Sequence, residues 1–389
     1  MMLLQNKTIA VVGGGPGGLT LARLLQLKGA DVKVYERDLD KDSRVQGTTL
    51  DLHEESGLAA LQKAGLMDAF KKNYRPGAEK MRVVDSDGTC FYDEHAEERE
   101  ETFGGKYSRP EIDRGPLRNM LLDSLQPGTV VWDSQFVAME KKSDGWQLHF
   151  KNEAVAYADI VIGADGGNSR IRPYITSIKP FYSGVSGVEG NVYSAETAAP
   201  NIHKLLKGGK IFAFGGAEDL IVSSKGDGSL SFYASYRTAE DWADNGEVDF
   251  ANKTQVLAWF ERAFPEWGTI WQELFEGAIT PFIPRPLYCM PPDQTWEPLP
   301  NLTLLGDAAH LMPPFAGEGV NMAMLDALEL SECLTSNDFI DVRSAISYYE
   351  DQMRRRAAAA AQMSLENTEW MHSEDALTKM LEMFGGSAK

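Results

Sequence analysis

The 389-residue sequence predicts an α/β fold built on a parallel sheet, and three features of the chain indicate it. Residues 9–36 pass from an apolar run through crowded glycines and an amphipathic stretch into a second apolar run, which is the order strand, turn, helix, strand. Later apolar runs at 158–163 and 302–305 have the continuous hydrophobicity of strands buried in a parallel sheet. Because these runs are far apart in the chain, the sequence predicts a discontinuous domain with a second domain inserted into it.

The first apolar run leads into the glycine pattern of a Rossmann-like dinucleotide site. Gly13 permits a tight turn, Gly15 lets backbone N–H groups approach a pyrophosphate, and Gly18 lets the helix lie close to the strand. Glu36 follows the second strand, 23 positions after Gly13 (36 − 13), where a carboxylate can accept hydrogen bonds from ribose hydroxyls. Because strand, turn, helix and acid occur together, the pattern favours dinucleotide binding over an ordinary tight turn.

The elements between these runs are predicted from the periodicity of their apolar residues. Two stretches have helical spacing, residues 55–72 and 114–125. Short strands are predicted at residues 81–84, 89–92, 129–132, 136–141, 146–150, 220–224 and 229–236. Residues 252–276 are helical and rich in Trp, and the chain from residue 325 onward is mostly helical. The order predicts a β-sheet domain inserted between the parts of the nucleotide domain.

Composition excludes several classes of function. A net charge of −19 argues against binding to nucleic acid or to an anionic membrane surface. The three cysteines, at positions 90, 289 and 333, form no CxxC pair and are predicted to be free thiols in a reducing compartment. The sequence contains no HxxxH or HExxH pair, so no metal site is predicted. It contains no apolar run of eighteen residues, so no membrane span is predicted. The sequence therefore predicts a soluble cytoplasmic protein without a secretory signal.

Two further motifs place aspartates at the ends of predicted strands. The stretch ADGGNSR at 164–170 contains Asp165, and LGDAAHLMPPFAGEGVN at 305–321 contains Asp307. Ligands of doubly wound sheets lie beyond the carboxyl ends of the strands, so both aspartates are candidate ligand contacts. The second motif also contains His310, for which a structural role is favoured over acid–base catalysis.

Together with the early glycines, these motifs resemble the fingerprint of the single-component FAD monooxygenases, the group A flavoprotein hydroxylases. The resemblance implies that Asp307 hydrogen-bonds the ribityl chain of FAD and that the segment of Asp165 serves FAD and NADPH. It also implies that backbone N–H groups at 317–321 stabilise negative charge on the reduced flavin, as a helix N-terminus does.

Longer stretches, GTTLDLHEESG, PEIDRGPLRNMLLDSL and GDAAHLMPPFAGEGVNMAMLDAL, resemble the tetracycline-inactivating FAD monooxygenases. In that group the position of Arg44 is linked to NADPH, and the positions of Asp51 and Arg114 contact FAD. Arg37 lies near the adenosine by the same resemblance. Two alternatives remain open, since Arg37 and Arg118 are also interpretable as surface charges and Asp51 as a helix N-cap. The positions assigned to the cofactors are Gly13, Gly15, Pro16, Gly17, Gly18, Glu36, Arg37, Arg44, Asp51, Arg114, Asp165, Asp307, Pro314, Gly317, Gly319, Val320 and Asn321.

The inserted domain resembles that group less closely. Its substrate contacts correspond to Glu189, Lys210 and Ser231, where the tetracycline-inactivating enzymes usually carry Gln, Arg and His. The exchange of Gln for Glu adds a negative charge, and that of Arg for Lys replaces a bidentate guanidinium with a single ammonium group. The exchange of His for Ser removes a titratable ring. Phe315 is a further candidate for the pocket wall. The substrate expected is therefore an oxidisable aromatic or polycyclic compound, with tetracycline itself one possibility.

The resemblance implies an NADPH-dependent monooxygenase, which hydroxylates a tetracycline-like or other phenolic substrate through a 4a-hydroperoxide of FAD, with dioxygen as oxidant and no side-chain nucleophile. Two alternatives are a hydroxylase of another aromatic or polyketide compound and a flavin-binding protein without oxygenase activity. The protein is expected to be a monomer. The predicted domains are an FAD-binding domain at 1–75, 114–175 and 290–335, a substrate domain at 76–113 and 176–289, and a bridging C-terminal helix at 338–384.

Overall fold

The computed structural model of the chain describes residues 2–43, 47–96, 103 and 109–384. Its strands are β1 (Thr8–Val12), β2 (Asp31–Tyr35), β3 (Thr49–Asp51), β4 (Met81–Asp85), β5 (Cys90–Asp93), β6 (Glu111–Asp113), β7 (Val130–Val131), β8 (Phe136–Lys142), β9 (Gly145–Phe150), β10 (Val155–Ala158), β11 (Ile160–Gly163), β12 (Phe181–Val192), β13 (Lys210–Gly215), β14 (Glu218–Ser224), β15 (Leu230–Arg237), β16 (Ile283–Cys289) and β17 (Leu302–Leu304). Its α-helices are α1 (Pro16–Leu27), α2 (Ala59–Lys63), α3 (Met67–Asn73), α4 (Arg114–Asp123), α5 (Ala195–Ala198), α6 (Pro200–Leu206), α7 (Lys253–Ala263), α8 (Gln272–Gly277), α9 (Asp307–His310), α10 (Gly319–Thr335), α11 (Val342–Met371) and α12 (Ala376–Met383).

Five strands form a parallel sheet in the order β17–β11–β1–β2–β7. The last residue of β1, Val12, is level with Gly163 of β11 and with Tyr35 of β2. Gly163 is in turn level with Leu304 of β17. These four strands therefore end at the same edge of the sheet, although they come from the start, the middle and the end of the chain. The predicted α/β fold with a discontinuous nucleotide domain is confirmed.

Helices and loops bury the parallel sheet on both faces, which explains its unbroken apolar runs. Val11, Ile162 and Leu304 lie on three neighbouring strands and are each fully buried. Burying a side chain of this size stabilises the fold by about 1.5–3 kcal/mol, so an alternating polar pattern would be costly here. The long helix α11 braces this sheet, since the hydroxyl of Tyr349 donates to the carbonyl of Leu304 at 2.9 Å.

A second sheet has seven strands in the order β16–β12–β15–β14–β13–β4–β5. One of its faces packs against α7 and α8 through buried aromatic rings, with Phe260 and Phe275 stacked at 4.3 Å between centroids. On the opposite face, alternate residues of neighbouring strands form polar rows. One row begins with Lys210, which is level with Ser223, and Ser223 is level with Ser231. The β-sheet domain expected between the nucleotide segments is therefore present.

The C-terminal helix departs from the prediction of one continuous helix over 338–384. Helix α11 ends at Met371, and α12 begins only at Ala376. The carbonyl of His372 accepts the guanidinium of Arg237 at 3.0 Å, which ties the end of α11 to β15 of the second sheet. The helix therefore contacts both sheets but stops where it meets the second. Among the described residues, neither α11 nor any other helix combines the length and apolarity that crossing a membrane requires.

Two other predicted elements are interrupted by local chemistry. The helix predicted at 55–72 is a π-helical turn, Glu54–Leu58, followed by α2 and α3, and the chain turns between the two helices at Gly65, where φ is +72°. The strand predicted at 158–163 begins only at Ile160, because the carboxylate of Asp159 accepts the N–H of Thr8 at 2.7 Å and bends the chain before β11.

Candidate active site

The early glycines form the tight turn that the sequence predicts. Gly13 has φ of +113°, and a Cβ at this position would lie 2.2 Å from the carbonyl oxygen of Ala164. A Cβ at Gly18 would lie 2.2 Å from the carbonyl oxygen of Gly13, so α1 approaches the strand as closely as its backbone allows. Both positions therefore require glycine for steric reasons.

The N-terminus of α1 has room for an anion. Gly15 is the N-cap residue and Pro16 is the first helical residue, and no side chain in the described part of the chain caps the N–H groups there. A Cβ at Gly15 would meet no described atom within 4 Å. Gly17, by contrast, faces α10, because its Cβ would lie 2.9 Å from the carbonyl oxygen of Ala323. Free N–H groups and open space at a helix N-terminus are what a pyrophosphate requires.

The acid that follows β2 supports the glycine turn directly. Glu36 is 3% exposed, and its carboxylate accepts the N–H of Gly14 at 2.6 Å and the N–H of Asp38 at 3.0 Å. Arg37 is exposed beside it, in keeping with either of its predicted roles. Arg118 is not a surface charge, since it is 4% exposed and its guanidinium pairs with Asp38 at 2.9 Å. Arg44 lies outside the described residues.

Asp165 lies at the carboxyl end of β11, beside the glycine turn. One of its oxygens accepts the N–H of Arg170 at 2.7 Å. The other oxygen, Oδ1, is buried and has no hydrogen-bond partner among the described residues. A buried acceptor that lacks a partner costs about 1–3 kcal/mol, so a donor from a bound ligand would relieve that cost.

Arg172, which the sequence interpretation missed, joins the two aspartate motifs. It is 6% exposed and donates to the carbonyl oxygens of Gly167 at 3.0 Å, Asp307 at 2.9 Å and Ala308 at 2.7 Å. A buried guanidinium that serves three carbonyls fixes the relative position of both loops. Its signal in the sequence was weak, because nothing local distinguishes it from the neighbouring exposed Arg170.

The late motif brings Asp307 to the N-terminus of α10. The Asp307 side chain is exposed in the cleft at the edge of the sheet, and its carboxylate lies 4.0 Å from the Cβ position of Gly319, the first residue of α10. Gly317 precedes the helix with φ of +69°, and Pro314 and Val320 lie nearby, exposed and half-buried respectively. A carboxylate and a helix N-terminus therefore face the same cleft.

The side chain of Asn321 forms hydrogen bonds within the protein, so a cofactor contact at this position must come from its backbone. Asn321 is fully buried; its carbonyl oxygen accepts the N–H of His53 at 2.9 Å, and its amide donates to the carbonyl of Asp51 at 3.0 Å. These bonds clamp β3 against the Gly317 turn, and the carboxylate of Asp51 lies 3.7 Å from the Cβ position of Gly317. The helix N-cap at this point is His53, which rules out that alternative for Asp51.

His310 is structural, in agreement with the sequence interpretation. It is 2% exposed, and its Nε2 lies 2.6 Å from the carboxylate of Asp326. Asp326 also accepts the N–H of Gly306 at 2.9 Å and the guanidinium of Arg356 at 2.8 Å. Burial raises the pKa of Asp326, but His310 and Arg356 outweigh burial and hold that pKa below its ordinary value. The network anchors the turn that presents Asp307.

Comparison with known proteins identifies the family. The family described as "FAD binding domain" matches residues 6–219 and 300–364, which include the three motifs. The chain belongs to this family of group A flavin monooxygenases. The residues present fit the cofactor, since the open N-terminus of α1, the unpartnered oxygen of Asp165 and the exposed carboxylate of Asp307 line one edge of the sheet. The monooxygenase is thus an FAD-dependent oxidoreductase that uses dioxygen and a reduced nicotinamide.

The flavin monooxygenase resembles characterised proteins along nearly its whole length. Monooxygenase asqM of Emericella nidulans is 28% identical over 97% of this chain and 94% of its own. Klebsiella pneumoniae HpxO, solved with FAD and uric acid, superposes with a TM-score of 0.74 at 21% identity, covering 98% of this chain and 94% of HpxO. Tetracycline destructase Tet(51) superposes with a TM-score of 0.71 at 17% identity, covering 97% and 94%. At these identities the solved structures show the fold alone.

Three of the four predicted substrate residues of the monooxygenase, Glu189, Lys210 and Ser231, lie on one face of the seven-stranded sheet, whereas Phe315 lies in the turn before α10. The carboxylate of Glu189 lies 3.4 Å from the Cβ position of Gly47, and the side chain of Arg114 lies 3.6 Å from the same point. Glu189 also pairs with Arg285 at 2.9 Å. Phe315 is half-buried and packs edge-on against the ring of His372 at 5.1 Å. The structure thus brings Glu189, predicted to contact the substrate, close to Arg114, predicted to contact FAD.

Lys210 is less available to a substrate than the sequence suggests. Its ammonium pairs with Glu111 of β6, a fully buried carboxylate that the sequence interpretation missed. Burial lowers the pKa of Lys210, but Glu111 and Asp51 outweigh burial and raise that pKa, so the ammonium stays charged. Ser231 is fully buried, and its hydroxyl has no partner among the described residues. In this structure Ser231 is therefore not accessible to a substrate, contrary to prediction.

Among the residues that the structure describes, the cysteines and the possible metal ligands form no second centre. Cys90 is exposed, Cys289 and Cys333 are buried, and all three are free. Within the described ranges, no group of three or more His, Cys, Asp or Glu side chains is placed to hold a metal ion.

Proposed function

We propose that this FAD-dependent enzyme uses NADPH and dioxygen to hydroxylate a phenolic or polycyclic substrate, with tetracycline-like compounds as the first candidates. The observation that carries the proposal is the juxtaposition of Glu189 with Arg114 across Gly47, which sets the polar face of the seven-stranded sheet against the flavin side of the cleft. The same juxtaposition supports oxygen transfer over simple flavin storage, because a storage protein has no need of a second polar wall.

The proposed reaction balances as NADPH + H⁺ + O₂ + RH giving NADP⁺ + ROH + H₂O. When bound, FAD carries two electrons from NADPH to dioxygen and passes one oxygen atom to the substrate. The protein positions the reactants and excludes water. The Arg285–Glu189 pair and the Lys210–Glu111 pair present fixed charges on the sheet face, which orient a polar substrate without contributing a nucleophile.

A different aromatic or polyketide substrate is the second candidate. It is favoured because the charged side chains on the sheet face are already paired within the protein. Lys210 is engaged by Glu111 and Glu189 by Arg285 at the positions where the tetracycline-inactivating enzymes usually carry Arg and Gln. A lysine that already pairs with a carboxylate can donate fewer hydrogen bonds to a substrate than an unpaired arginine guanidinium can. Ser231 offers no contact at the third position.

A screen against purified enzyme tests the proposal. Tetracyclines and simpler phenols are incubated with FAD-loaded protein, NADPH and ¹⁸O₂, and the products are analysed by mass spectrometry. A product that carries one ¹⁸O atom, formed together with NADPH oxidation, is the expected result, and its identity decides between the two candidates. Flavin-loaded protein that oxidises NADPH without labelling any compound would favour the flavin-binding protein without oxygenase activity.

Asp307→Ala is expected to weaken FAD binding by about tenfold to a hundredfold. The reason is that a hydrogen bond to a charged group contributes about 1.5–3 kcal/mol. The measurement is a titration of apoprotein with FAD, followed by flavin fluorescence. Asp375→Ala removes an exposed carboxylate near the start of α12 and serves as the matched control. Equal FAD affinities of Asp307→Ala and wild type would refute the ribityl role.

A further inference from the structure

His53 connects the flavin side of the cleft with a separate cavity. Its Nε2 lies 3.1 Å from the carboxylate of Asp51, and its Nδ1 lies 3.5 Å from the carboxylate of Glu318. The ring is 8% exposed, and the backbone N–H of His53 donates to Asn321 at 2.9 Å, which fixes its position. Asp51 in turn faces the Gly317 turn at 3.7 Å. Three titratable side chains thus form a line from the cleft inward to His53 and outward to Glu318.

The cavity on the far side of His53 has a volume of about 340 Å³ and lies between the π-helical turn, α10 and α11. Its polar wall consists of His53, Ser56, Glu318 and Arg356, and its mouth is bounded by Glu55 and Met363, which are exposed. The rest of the lining is apolar, but the cavity is open to solvent, so water reaches its polar groups. It therefore supplies solvent protons to one side of the ring while the other side faces Asp51.

The proposed reaction consumes one proton in every turnover, and that proton must reach a site that excludes bulk water. A histidine with one nitrogen toward solvent and the other toward a buried carboxylate is suited to transfer it. We propose that His53 is the proton relay of this enzyme, which passes protons from the cavity to Asp51 on the flavin side. This inference rests on the proposed function.

The transfer moves one proton in and leaves the ring unchanged. The N–H bond at Nε2 breaks as an O–H bond forms on the Asp51 carboxylate, and Nδ1 keeps its proton during this step. The vacant Nε2 then faces Asp51, so the ring turns about its Cβ–Cγ bond to bring Nε2 toward Glu318, where it takes up a proton from cavity water, and the ring turns back. Asp51 holds the proton only transiently, because the reaction takes it up. His53 acts on the reacting centre through Asp51 and is therefore a positioning and relay residue.

The surrounding charges keep the His53 ring protonated. Burial lowers the pKa of His53, but the hydrogen bonds to Asp51 and Glu318 outweigh burial and raise that pKa to about 9. The other charges around these three groups are Glu55 and Arg356 at the cavity, and Lys210, Glu111 and Arg109 near Asp51. Since the folded pKa lies above the ordinary value, the ring is an imidazolium at neutral pH. Proton delivery is expected to decline as the pH rises through about 9.

His53→Gln tests the relay, because glutamine keeps an N–H toward Asp51 but has no basic nitrogen that can accept a proton and pass it on. We expect kcat to fall about a hundredfold, with KM for NADPH and FAD content unchanged, and the fall of activity near pH 9 to disappear. Imidazole in the buffer, which fits the cavity, is expected to restore much of the lost rate. His149→Gln is the matched control, since His149 also lies 3.5 Å from a carboxylate, that of Glu140, but is far more exposed.

A second measurement does not depend on turnover. The ring of His53, followed by ¹⁵N NMR in the FAD-loaded protein, is expected to titrate near pH 9 and at a lower pH in Glu318→Gln. If the wild type labels no substrate with ¹⁸O, the proposed function fails, and the titration still decides the assignment of His53. An ordinary titration that Glu318→Gln does not change would overturn the relay. A rate loss in His53→Gln that imidazole does not restore, or a wild-type rate in that variant, would overturn it as well.

Discussion

Gly13→Ala is expected to destabilise the nucleotide domain strongly and, with it, to weaken FAD binding. The new Cβ would lie 2.2 Å from the carbonyl oxygen of Ala164, which is backbone and cannot rotate away, and φ of +113° is strained for any residue with a Cβ. A left-handed strain of about 1–3 kcal/mol adds to the cost of separating β1 from β11. We expect a loss of at least about 3 kcal/mol in the free energy of unfolding, measured by urea denaturation of the apoprotein.

Gly15→Ala separates the role of the turn from the role of the cofactor contact. Gly15 has φ of −78° and open space around it, so alanine fits the apoprotein, and the loss of a glycine N-cap costs about 1 kcal/mol or less. The same Cβ occupies the space that a pyrophosphate needs, so FAD affinity is expected to fall at least about tenfold. Wild-type FAD affinity in this variant would place the pyrophosphate elsewhere, and a stable Gly13→Ala protein would contradict the steric argument.

Asp326→Ala is expected to destabilise the protein by about 3–5 kcal/mol, because it leaves the buried His310 and the half-buried Arg356 without their shared carboxylate. It also leaves the N–H of Gly306 without its acceptor. That turn presents Asp307, so FAD affinity is expected to fall together with stability. Urea denaturation and an FAD titration measure the two effects. Asp341→Ala, which removes an exposed N-cap carboxylate from α11, is the control and should cost about 1 kcal/mol.

The pH dependence of the difference in unfolding free energy between wild type and Asp326→Ala provides an independent check. The pKa of Asp326 is lowered in the folded protein, so its contribution is present above the ordinary value of an aspartate and is lost as the pH falls below it. Burial lowers the pKa of His310, but Asp326 outweighs burial and raises it, so that contribution is present below the ordinary value of a histidine and is lost as the pH rises past it. The destabilisation by Asp326→Ala should therefore be largest between about pH 4 and 6.5. A difference that is constant from pH 3 to 9 would argue against the ionic network.

The parts of the site that the sequence predicted well are those that local chemistry decides. The turn at Gly13 and the close approach at Gly18 follow from steric demands that only glycine meets, and these demands act within a few residues. The strands before Asp165 and Asp307 were recognisable because strands buried on both faces need continuous apolar side chains. Their common edge followed in turn from the rule that ligands lie at the carboxyl ends of parallel strands.

The parts that the sequence predicted poorly depend on partners distant in the chain. Glu111 forms an ion pair with Lys210, although the two residues are 99 positions apart in the chain (210 − 111). The sequence around either residue does not indicate this pair. Glu189, Lys210 and Ser231 lie on one face of the sheet, but nothing in the sequence around Ser231 indicates that it is fully buried. The break after α11 likewise depends on Arg237, which reaches the helix from another sheet.

By itself, the sequence determined the strand–turn–helix units, the glycines that they require and the order in which three flavin motifs occur. Only the tertiary structure decided which charges neutralise one another, as for Asp326 with His310 and for His53 between Asp51 and Glu318. The physical reason is range. Steric and hydrogen-bonding demands of the backbone act between neighbours in the chain, whereas the energy of a buried charge depends on every group that packing brings within a few ångströms.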